Sequence, residues 1–143
     1  MATTTHAASS LEASIAEAIG RHAYCSFGTA LGDRPKVRYM AVAHDGMKVY
    51  LASDRKTHKV EELKNNPNVY LLLGYNGQWP SEVIEVEGTC TVTSDEALRR
   101  QVWREELKPW LSGPDDPDYV VLEVTPSRIE WTAPGDARRI WTS

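Results

Sequence analysis

A short polar turn between a predicted strand and a predicted helix carries the residue types of an anion site. Ser53 ends an alternating strand, and Thr57, His58 and Lys59 open a short amphipathic segment. The amide N–H groups of a helix's first turn have no partners within the helix, and the helix dipole places positive potential there. Two hydroxyls, an imidazole and an ammonium group surround this helix start. The turn therefore predicts a site for an anion, a phosphate above all.

The same residues also have a purely structural interpretation. Thr57 is a good N-cap residue for the helix that follows, and Arg55, Lys56 and Lys59 could form an ordinary basic turn exposed to solvent. Short motifs of this strength often occur by chance, so the local pattern alone favours the structural interpretation. The rest of the chain has to decide between the two.

The overall charge excludes some partners. The chain of 143 residues has a formal net charge of −4, whereas a nucleic-acid-binding surface normally needs a basic excess. Positive charge is instead local, at Arg34, Lys36 and Arg38 and again in the turn 55–59, which suits a small anionic ligand better than a polyanion. No apolar run approaches a membrane span and the first residues lack a signal-peptide pattern, so we expect a cytoplasmic protein with no membrane contact.

Other chemistry is not indicated. Cys25 and Cys90 fall in apolar runs, which predicts buried free thiols rather than a disulfide or a metal pair. Glu85 and Glu87 share one face of a predicted strand, and such neighbouring acids usually face solvent. No nucleophile–base pair stands out, so the catalytic residues stay unknown and no metal site is predicted.

Period-two alternation and turn residues predict a mainly β (α+β) domain. Residues 1–8 read as a flexible N-terminal tail, and residues 9–143 as one folded domain. A capping-box match at residues 9–12 opens a helix to about Ile19, and a second at residues 93–96 opens one that stops near Pro109. Pro126 should break the last strand. The predicted strands and the short helix ahead of Pro67 suggest a six- to seven-stranded antiparallel split β-barrel with flanking helices. The predicted strands lie at residues 23–30, 36–43, 49–53, 69–75, 81–93, 119–124 and 128–131.

Several segments, in order along residues 23–131, resemble one family. The chain is similar to the FMN-binding split β-barrel superfamily, relatives of pyridoxamine 5′-phosphate oxidase, and more closely to the general stress protein 26 family of bacteria. Trp103 belongs to the same pattern. The matching segments are PKVRYM at 35–40, THKV at 57–60, PNV at 67–69, VEG at 86–88 and GPDDPDYVV at 113–121.

The resemblance implies a homodimer with two flavin sites at the subunit interface. In such proteins a strand arginine, a basic pair and two hydroxyls hold the FMN phosphate, the neighbouring strands face the isoalloxazine ring, and a few residues reach the flavin of the partner chain. Carried over to this sequence, the cofactor-binding residues are Arg38, Tyr39, Met40, Leu51, Ala52, Ser53, Thr57, His58 and Lys59, with Trp79, Trp131 and Arg139 as candidates to contact the partner's flavin.

The function implied by the resemblance is that of an FMN-binding general-stress-type protein, with FAD as an alternative cofactor. Its first form is a flavin-dependent oxidoreductase of unknown substrate, reduced by NAD(P)H or another small molecule. Its second is a flavin carrier without turnover. A deazaflavin- or haem-binding relative is a third, with His22, His44 and His58 as the histidines that could serve haem.

Two positions depart from pyridoxamine 5′-phosphate oxidases. Ala43 stands where those enzymes carry a lysine, and Val83 stands where they carry a glutamine. No set of basic residues matches their second, substrate phosphate site. These departures argue against oxidation of pyridoxamine phosphate.

Overall fold

A computed structural model describes residues 2–143, with side-chain detail from Ser10 onward. Met1, part of the predicted tail at residues 1–8, lies outside the described residues. Within them the helices are α1 (Ala2–Ile19), α2 (His58–Asn65) and α3 (Glu96–Val102), followed by a 3₁₀ helix at Glu105–Leu107. The strands are β1 (Tyr24–Leu31), β2 (Arg34–Ala41), β3 (Ala43–Asp45), β4 (Lys48–Asp54), β5 (Asn68–Gly74), β6 (Val83–Thr93), β7 (Tyr119–Thr132) and β8 (Arg139–Thr142).

The strands form one antiparallel sheet that curls into a half-barrel. Their order is β2-β1-β5-β6-β7-β4-β3, and β8 pairs with β7. The sheet is split where β2 approaches β4 without pairing. The predicted split β-barrel with flanking helices is confirmed, with eight strands among the described residues rather than six or seven. The split matters because it leaves a groove between two strand edges.

Alternation places the core inside this curled sheet. Cys25, Phe27 and Thr29 of β1 point inward and are buried, as are Leu71 and Leu73 of β5. Helix α1 covers one opening of the half-barrel with the apolar face that the sequence predicts, since its Ile15 and Ile19 are fully buried.

Both cysteines are free and buried, as predicted. Burial raises the pKa of the Cys25 thiol and of the Cys90 thiol to about 12. Thiols with such a high pKa are almost wholly protonated at neutral pH, so neither is a good nucleophile or metal ligand. Among the side chains described, those of residues 10–143, no group of three metal-ligating residues comes together. Within the described part of the chain no helix is long and apolar enough to cross a bilayer.

Three sequence predictions about element ends were wrong. Helix α1 starts at Ala2, so the capping-box match at residues 9–12 lies inside it and opens nothing. Helix α3 is capped by Asp95, whose carboxylate accepts the Leu98 N–H at 3.0 Å, and it ends at Val102 instead of continuing to Pro109. The predicted strand at 36–43 is divided into β2 and β3.

The predicted break at Pro126 was also wrong, because β7 runs through it and a further strand, β8, follows. Proline lacks the N–H that a ladder needs and is tolerated at bulges. Pro126 lies opposite Gly88 at the irregularity in the β6–β7 pairing. The two chains approach so closely there that a Cβ on Gly88 would lie 2.3 Å from the Thr125 carbonyl oxygen. The bulge thus accommodates the proline, and only glycine fits opposite it.

Candidate functional site

The turn between β4 and α2 leaves the helix start open. Thr57 occupies the N-cap position but makes no side-chain capping bond; its hydroxyl donates to the Asp54 carbonyl at 2.9 Å instead. The amides of His58 and Lys59 are therefore first-turn donors that Thr57 does not satisfy. Ser53, which is buried, places its hydroxyl 3.4 Å from that of Thr57. Thr57 therefore occupies the N-cap position without capping the helix through its side chain.

Two of the cations in this turn are neutralised. Asp118 accepts a bond from Arg55 Nε at 2.7 Å and pairs with Lys56 Nζ at 3.1 Å. The Asp118 backbone carbonyl also accepts the Arg55 N–H at 2.8 Å. The interpretation as a basic, solvent-exposed turn therefore applies to Arg55 and Lys56.

Lys59 behaves differently from its neighbours. Its side chain is partly buried and has no hydrogen-bond or ion-pair partner among the residues that the structure describes. Burial lowers the pKa of its ammonium group, and the nearby Arg38 guanidinium lowers it further. A partly buried cation without a counter-ion is expensive to maintain. An anionic ligand at this position would remove that penalty.

Arg38 already has a protein anion beside it. Its Nη2 lies 3.2 Å from the Glu62 carboxylate and its Nη1 donates to the Thr29 hydroxyl at 3.0 Å. Thr29 in turn donates to the same Glu62 oxygen at 2.7 Å. The pKa of Glu62 is lowered, first by the Thr29 hydrogen bond and then by Arg38, against the opposing effect of burial. Arg38 is thus held in place by Glu62 and still has free N–H donors for a ligand.

A groove of about 580 Å³ lies in the split of the barrel beside these cations. The two strand edges, β2 and β4, form two of its walls, and the 3₁₀ segment after α3 forms the third. The groove collects seven of the predicted site residues: Arg38, Tyr39, Met40, Ala52, Ser53, Thr57 and Lys59.

The sequence predictions missed the third wall. Arg104, Leu107 and Trp110 line the groove from the segment after α3, and Tyr24 lines it from β1. Arg104 Nη2 donates to the Val42 carbonyl, which fixes this segment against the strand edge. These residues are distant in sequence from the turn. The one signal in the sequence is an aromatic residue, Trp110, directly after Pro109. In the structure Trp110 is 73% exposed.

A second cavity of about 500 Å³ adjoins the groove. Arg38 and Lys59 line both spaces, so they mark the boundary between them. The predicted site residue His58 faces this second cavity and not the groove. The other lining residues are Leu31, Lys36, Glu61, Glu62 and Asn65.

Four predicted site residues lie outside both cavities. The Leu51 side chain is fully buried in the main core, so it offers no surface to a ligand in this chain. Trp131 donates its Nε1–H to Glu82 at 3.0 Å, and the Arg139 guanidinium stacks 3.9 Å from the centre of its ring. Trp79 is 70 % exposed. The roles predicted for these three residues concern the flavin of a partner chain and stay predictions.

The histidines named for haem are not gathered into one site. His22 Nε2 lies 2.7 Å from the Glu82 carboxylate, which also binds Arg21. His44 Nδ1 lies 2.9 Å from the Gly46 carbonyl. Of these three histidines, His58 lines the second cavity, and His22 and His44 line neither of the two cavities described above.

Comparison with known proteins establishes the family. Residues 11–133 match the family model described as pyridoxamine 5′-phosphate oxidase. The chain is 34% identical to general stress protein 26 of Bacillus subtilis strain 168 over 123 residues, 85% of this chain and 88% of that protein. The crystal structure of general stress protein 26 from Bacillus anthracis strain Sterne superposes with a TM-score of 0.81 at 30% identity, covering 92% of this chain and 96% of the other. The chain belongs to the pyridoxamine 5′-phosphate oxidase-like general stress protein 26 family.

Two other solved structures have lower sequence identity to this general stress protein 26 family member, and the similarity is in the fold only. A FAD-binding protein from Mesorhizobium loti superposes with a TM-score of 0.65 at 20% identity, covering 83% of this chain and 90% of the other. A heme-binding protein from Mycobacterium smegmatis superposes with a TM-score of 0.72 at 14% identity, covering 92% of this chain and 56% of the other.

The GPDDPD segment at 113–118 carried much of the family resemblance. It does not line the groove but contacts the β4–α2 turn. Asp116 accepts the N–H groups of Ser112 and Asp118, each at 2.9 Å. This folds the loop so that Asp118 reaches Arg55 and Lys56 in the β4–α2 turn. In this general stress protein 26 family member the loop thus holds the turn and withdraws two competing cations from the groove.

Proposed function

We propose that this chain binds FMN, with the phosphate between Lys59 and Arg38 and the isoalloxazine ring in the groove. The observation that carries the proposal is Lys59 at the open start of α2, partly buried and without a hydrogen-bond or ion-pair partner among the described residues. The donors around it suit a phosphate: an ammonium group, a guanidinium, the hydroxyls of Ser53 and Thr57, and two amides of the first helical turn.

The groove suits the ring. Its volume of about 580 Å³ lies within the roughly 300–1,000 Å³ of sites for cofactor-sized ligands. Met40, Ala41, Leu107 and Trp110 give it apolar walls. Its charged lining consists of Arg38, Lys59 and Arg104 with the acids Asp54 and Glu106. When bound, FMN would supply the capacity to accept and donate hydride or single electrons. The protein's part is to hold the phosphate, orient the ring and keep water from it.

Flavin-dependent oxidoreduction, with NAD(P)H or another small molecule as reductant, is the activity we propose on this site. A flavin carrier without turnover uses the same binding residues and differs only in reactivity. Anaerobic addition of NAD(P)H to the FMN-loaded protein separates the two. Bleaching of the flavin absorbance would indicate an enzyme, and an unchanged spectrum would indicate a carrier.

The binding proposal predicts a strong preference for FMN over riboflavin, which has the same ring but no phosphate. Charge-assisted hydrogen bonds contribute about 1.5–3 kcal/mol each, and about 1.4 kcal/mol is tenfold in affinity. We therefore expect FMN to bind at least about tenfold more tightly than riboflavin. Flavin fluorescence titration of the purified protein measures both affinities. Equal affinities would remove the phosphate from the proposed site, and no binding of either would remove the flavin.

We also propose a homodimer, formed through the outer face of β1, β2 and β5. Tyr39 and Leu72 both pair with Ser26, while Val37 and Tyr70 both pair with Gly28, so these four side chains share one face. They are between 41% and 85% exposed. Contiguous apolar patches of this kind mark protein–protein contacts. Since Tyr39 also lines the groove, a second copy on this face would close the flavin site.

The dimer proposal predicts that Val37→Glu combined with Leu72→Glu yields a monomer. Two carboxylates on each copy would meet like charges and lose hydration in the interface. Light scattering after size-exclusion chromatography, at micromolar concentration, measures the mass. Ile140→Glu is the control, because Ile140 is similarly exposed, at 43%, and lies on the same sheet face but on β8, three strands beyond β5 and outside the proposed patch. A monomeric wild-type protein would contradict the proposal.

A further inference from the structure

Trp110 is the most exposed of the five tryptophans of the chain, and it lines the groove from the segment after α3. Single exposed apolar side chains are common on protein surfaces and by themselves indicate nothing. The contacts of the other tryptophans and the backbone around Trp110 show that its exposure is of a different kind.

The other four tryptophan side chains are engaged within the protein. The ring of Trp79 packs against that of Tyr75, with 5.0 Å between their centres. The remaining three donate the indole N–H to a carboxylate at 3.0–3.1 Å, in the pairs Trp103–Glu105, Trp131–Glu82 and Trp141–Glu12. Trp110 makes neither kind of contact with the side chains that the structure describes. Its ring and its N–H donor are therefore available to a ligand in the groove.

The backbone on both sides of Trp110 is held in place. Leu111, the next residue, is buried in the smaller core cluster, and its N–H donates to the Leu107 carbonyl at 3.0 Å. The Trp110 N–H donates to the same carbonyl at 2.9 Å. At the start of the segment, Arg104 donates to the Val42 carbonyl. An aromatic side chain on a fixed backbone loses little conformational entropy when a ligand binds, which favours a binding role.

The walls of the groove lie on different sides of the space proposed for the flavin ring. The strand edges contribute Met40 and Ala52, and the segment after α3 contributes Trp110. Residues of the strand edges can lie against one face of a planar ring, which leaves its other face toward the third wall. Aromatic rings in offset contact attract each other more strongly than their buried area alone accounts for.

We propose that the Trp110 indole stacks on the isoalloxazine ring and covers the face that the strand edges leave open. The inference rests on the proposed flavin site. It adds a ring-binding residue from the third wall, whose contribution does not depend on the flavin phosphate.

The test compares the affinities of FMN and riboflavin for the wild-type protein and for Trp110→Ala. Both ligands have the ring, so we expect both affinities to fall about tenfold and their ratio to stay within about twofold. A residue that binds the phosphate would change the ratio instead. Ile140→Ala is the control, since it truncates an exposed apolar side chain that lines neither cavity, and it should leave both affinities within about twofold of the wild type. The anisotropy of flavin fluorescence measures the affinities independently of any change in emission intensity.

A second variant, Trp110→Phe, separates stacking from a structural role. Phenylalanine keeps a smaller aromatic ring at the same place, so both affinities should stay within about threefold of the wild type. An indole in contact with the isoalloxazine ring quenches flavin emission more strongly than a phenyl ring does. Bound FMN should therefore be brighter in Trp110→Phe than in the wild type, whereas a structural role would leave its emission unchanged.

The outcomes distinguish this inference from the flavin proposal. If FMN and riboflavin bind Trp110→Ala as tightly as the wild type, the stacking is wrong and the flavin site stands. A change in the mass of Trp110→Ala by light scattering would place the indole in a subunit contact and would also overturn the stacking. If neither flavin binds the wild-type protein, both proposals fail.

Discussion

Lys59→Gln is expected to weaken FMN binding by about tenfold to a hundredfold, the equivalent of one charge-assisted hydrogen bond. The structure makes this lysine the main cation available to the phosphate. Arg55 and Lys56 are bound by Asp118, and Arg38 shares its charge with Glu62. Lys59 has no hydrogen-bonded or ion-pair partner among the described residues and lines the groove, so its ammonium group is available to the ligand. Flavin fluorescence titration measures the loss.

Lys59→Gln has two controls: a second lysine on α2, and riboflavin, which has the isoalloxazine ring of FMN without its phosphate. Lys64→Gln removes an exposed charge from α2 that lines neither cavity, and FMN affinity should stay within about twofold. Riboflavin affinity should be unaffected by Lys59→Gln, since riboflavin has no phosphate. If riboflavin binding falls as much as FMN binding, Lys59 contacts the ring or maintains the groove, and the phosphate assignment is wrong.

The affinity should also depend on pH in a stated direction. Burial and Arg38 lower the pKa of Lys59, so its charge is lost at a lower pH than that of an ordinary lysine. FMN affinity is therefore expected to decline as the pH rises through this lowered pKa, at a lower pH than an ordinary lysine would require, and this decline should be absent from Lys59→Gln.

Sequence reasoning located the strand–turn–helix unit because every signal there is local. β4 ends at Asp54, one residue past the predicted end at Ser53, the helix begins at His58, and Pro67 follows its last residues, so the strand, turn and helix lie close to where the pattern puts them. The helix stop at Asn65 is confirmed for the same reason. Such short-range chemistry depends little on the rest of the fold.

What the sequence could not predict depends on contacts between distant residues. Asp118 pairs with Arg55, which is 63 residues away in the sequence, and Glu62 pairs with Arg38, which is 24 residues away. Glu62 is 4% exposed although a glutamate on a short helix would ordinarily face solvent. Pro126 reads as a strand break until Gly88 and the bulge opposite it are known. In each case tertiary pairing overrides the local preference.

Arg38→Met is expected to destabilise the fold by about 3 kcal/mol at neutral pH, because it leaves the buried Glu62 carboxylate without its cation. The Thr29 hydroxyl would still donate to Glu62, and the Arg38 side chain is itself 25% exposed. The loss of unfolding free energy should therefore lie at the low end of the range for removing one partner of a buried ion pair. The double variant Arg38→Met with Glu62→Gln buries no charge and should lose only about 1 kcal/mol. Urea unfolding of the wild type, of both single variants (Arg38→Met and Glu62→Gln) and of the double variant gives the coupling energy between the two side chains.

A matched control separates this buried pair from an exposed one. Arg55→Met also breaks an arginine–carboxylate contact, but Arg55 is 61% exposed, and solvent screening should make the loss of stability much smaller than that of Arg38→Met. If Arg38→Met and the double variant are equally unstable, Glu62 does not depend on Arg38, and the pair cannot be what positions the arginine.

The pH dependence of the Arg38→Met loss gives a second, independent test. The pKa of Glu62 is lowered in the folded state, first by Thr29 and then by Arg38. The unfolded chain therefore binds more protons in the window just below the ordinary glutamate pKa, and the stabilising contribution is present above that window and lost as the pH falls through it. The difference in unfolding free energy between wild type and Arg38→Met should thus be full at pH 7 and shrink below about pH 4.5. A difference that is independent of pH would mean that Arg38 stabilises the fold by packing, and that its charge is free for the phosphate.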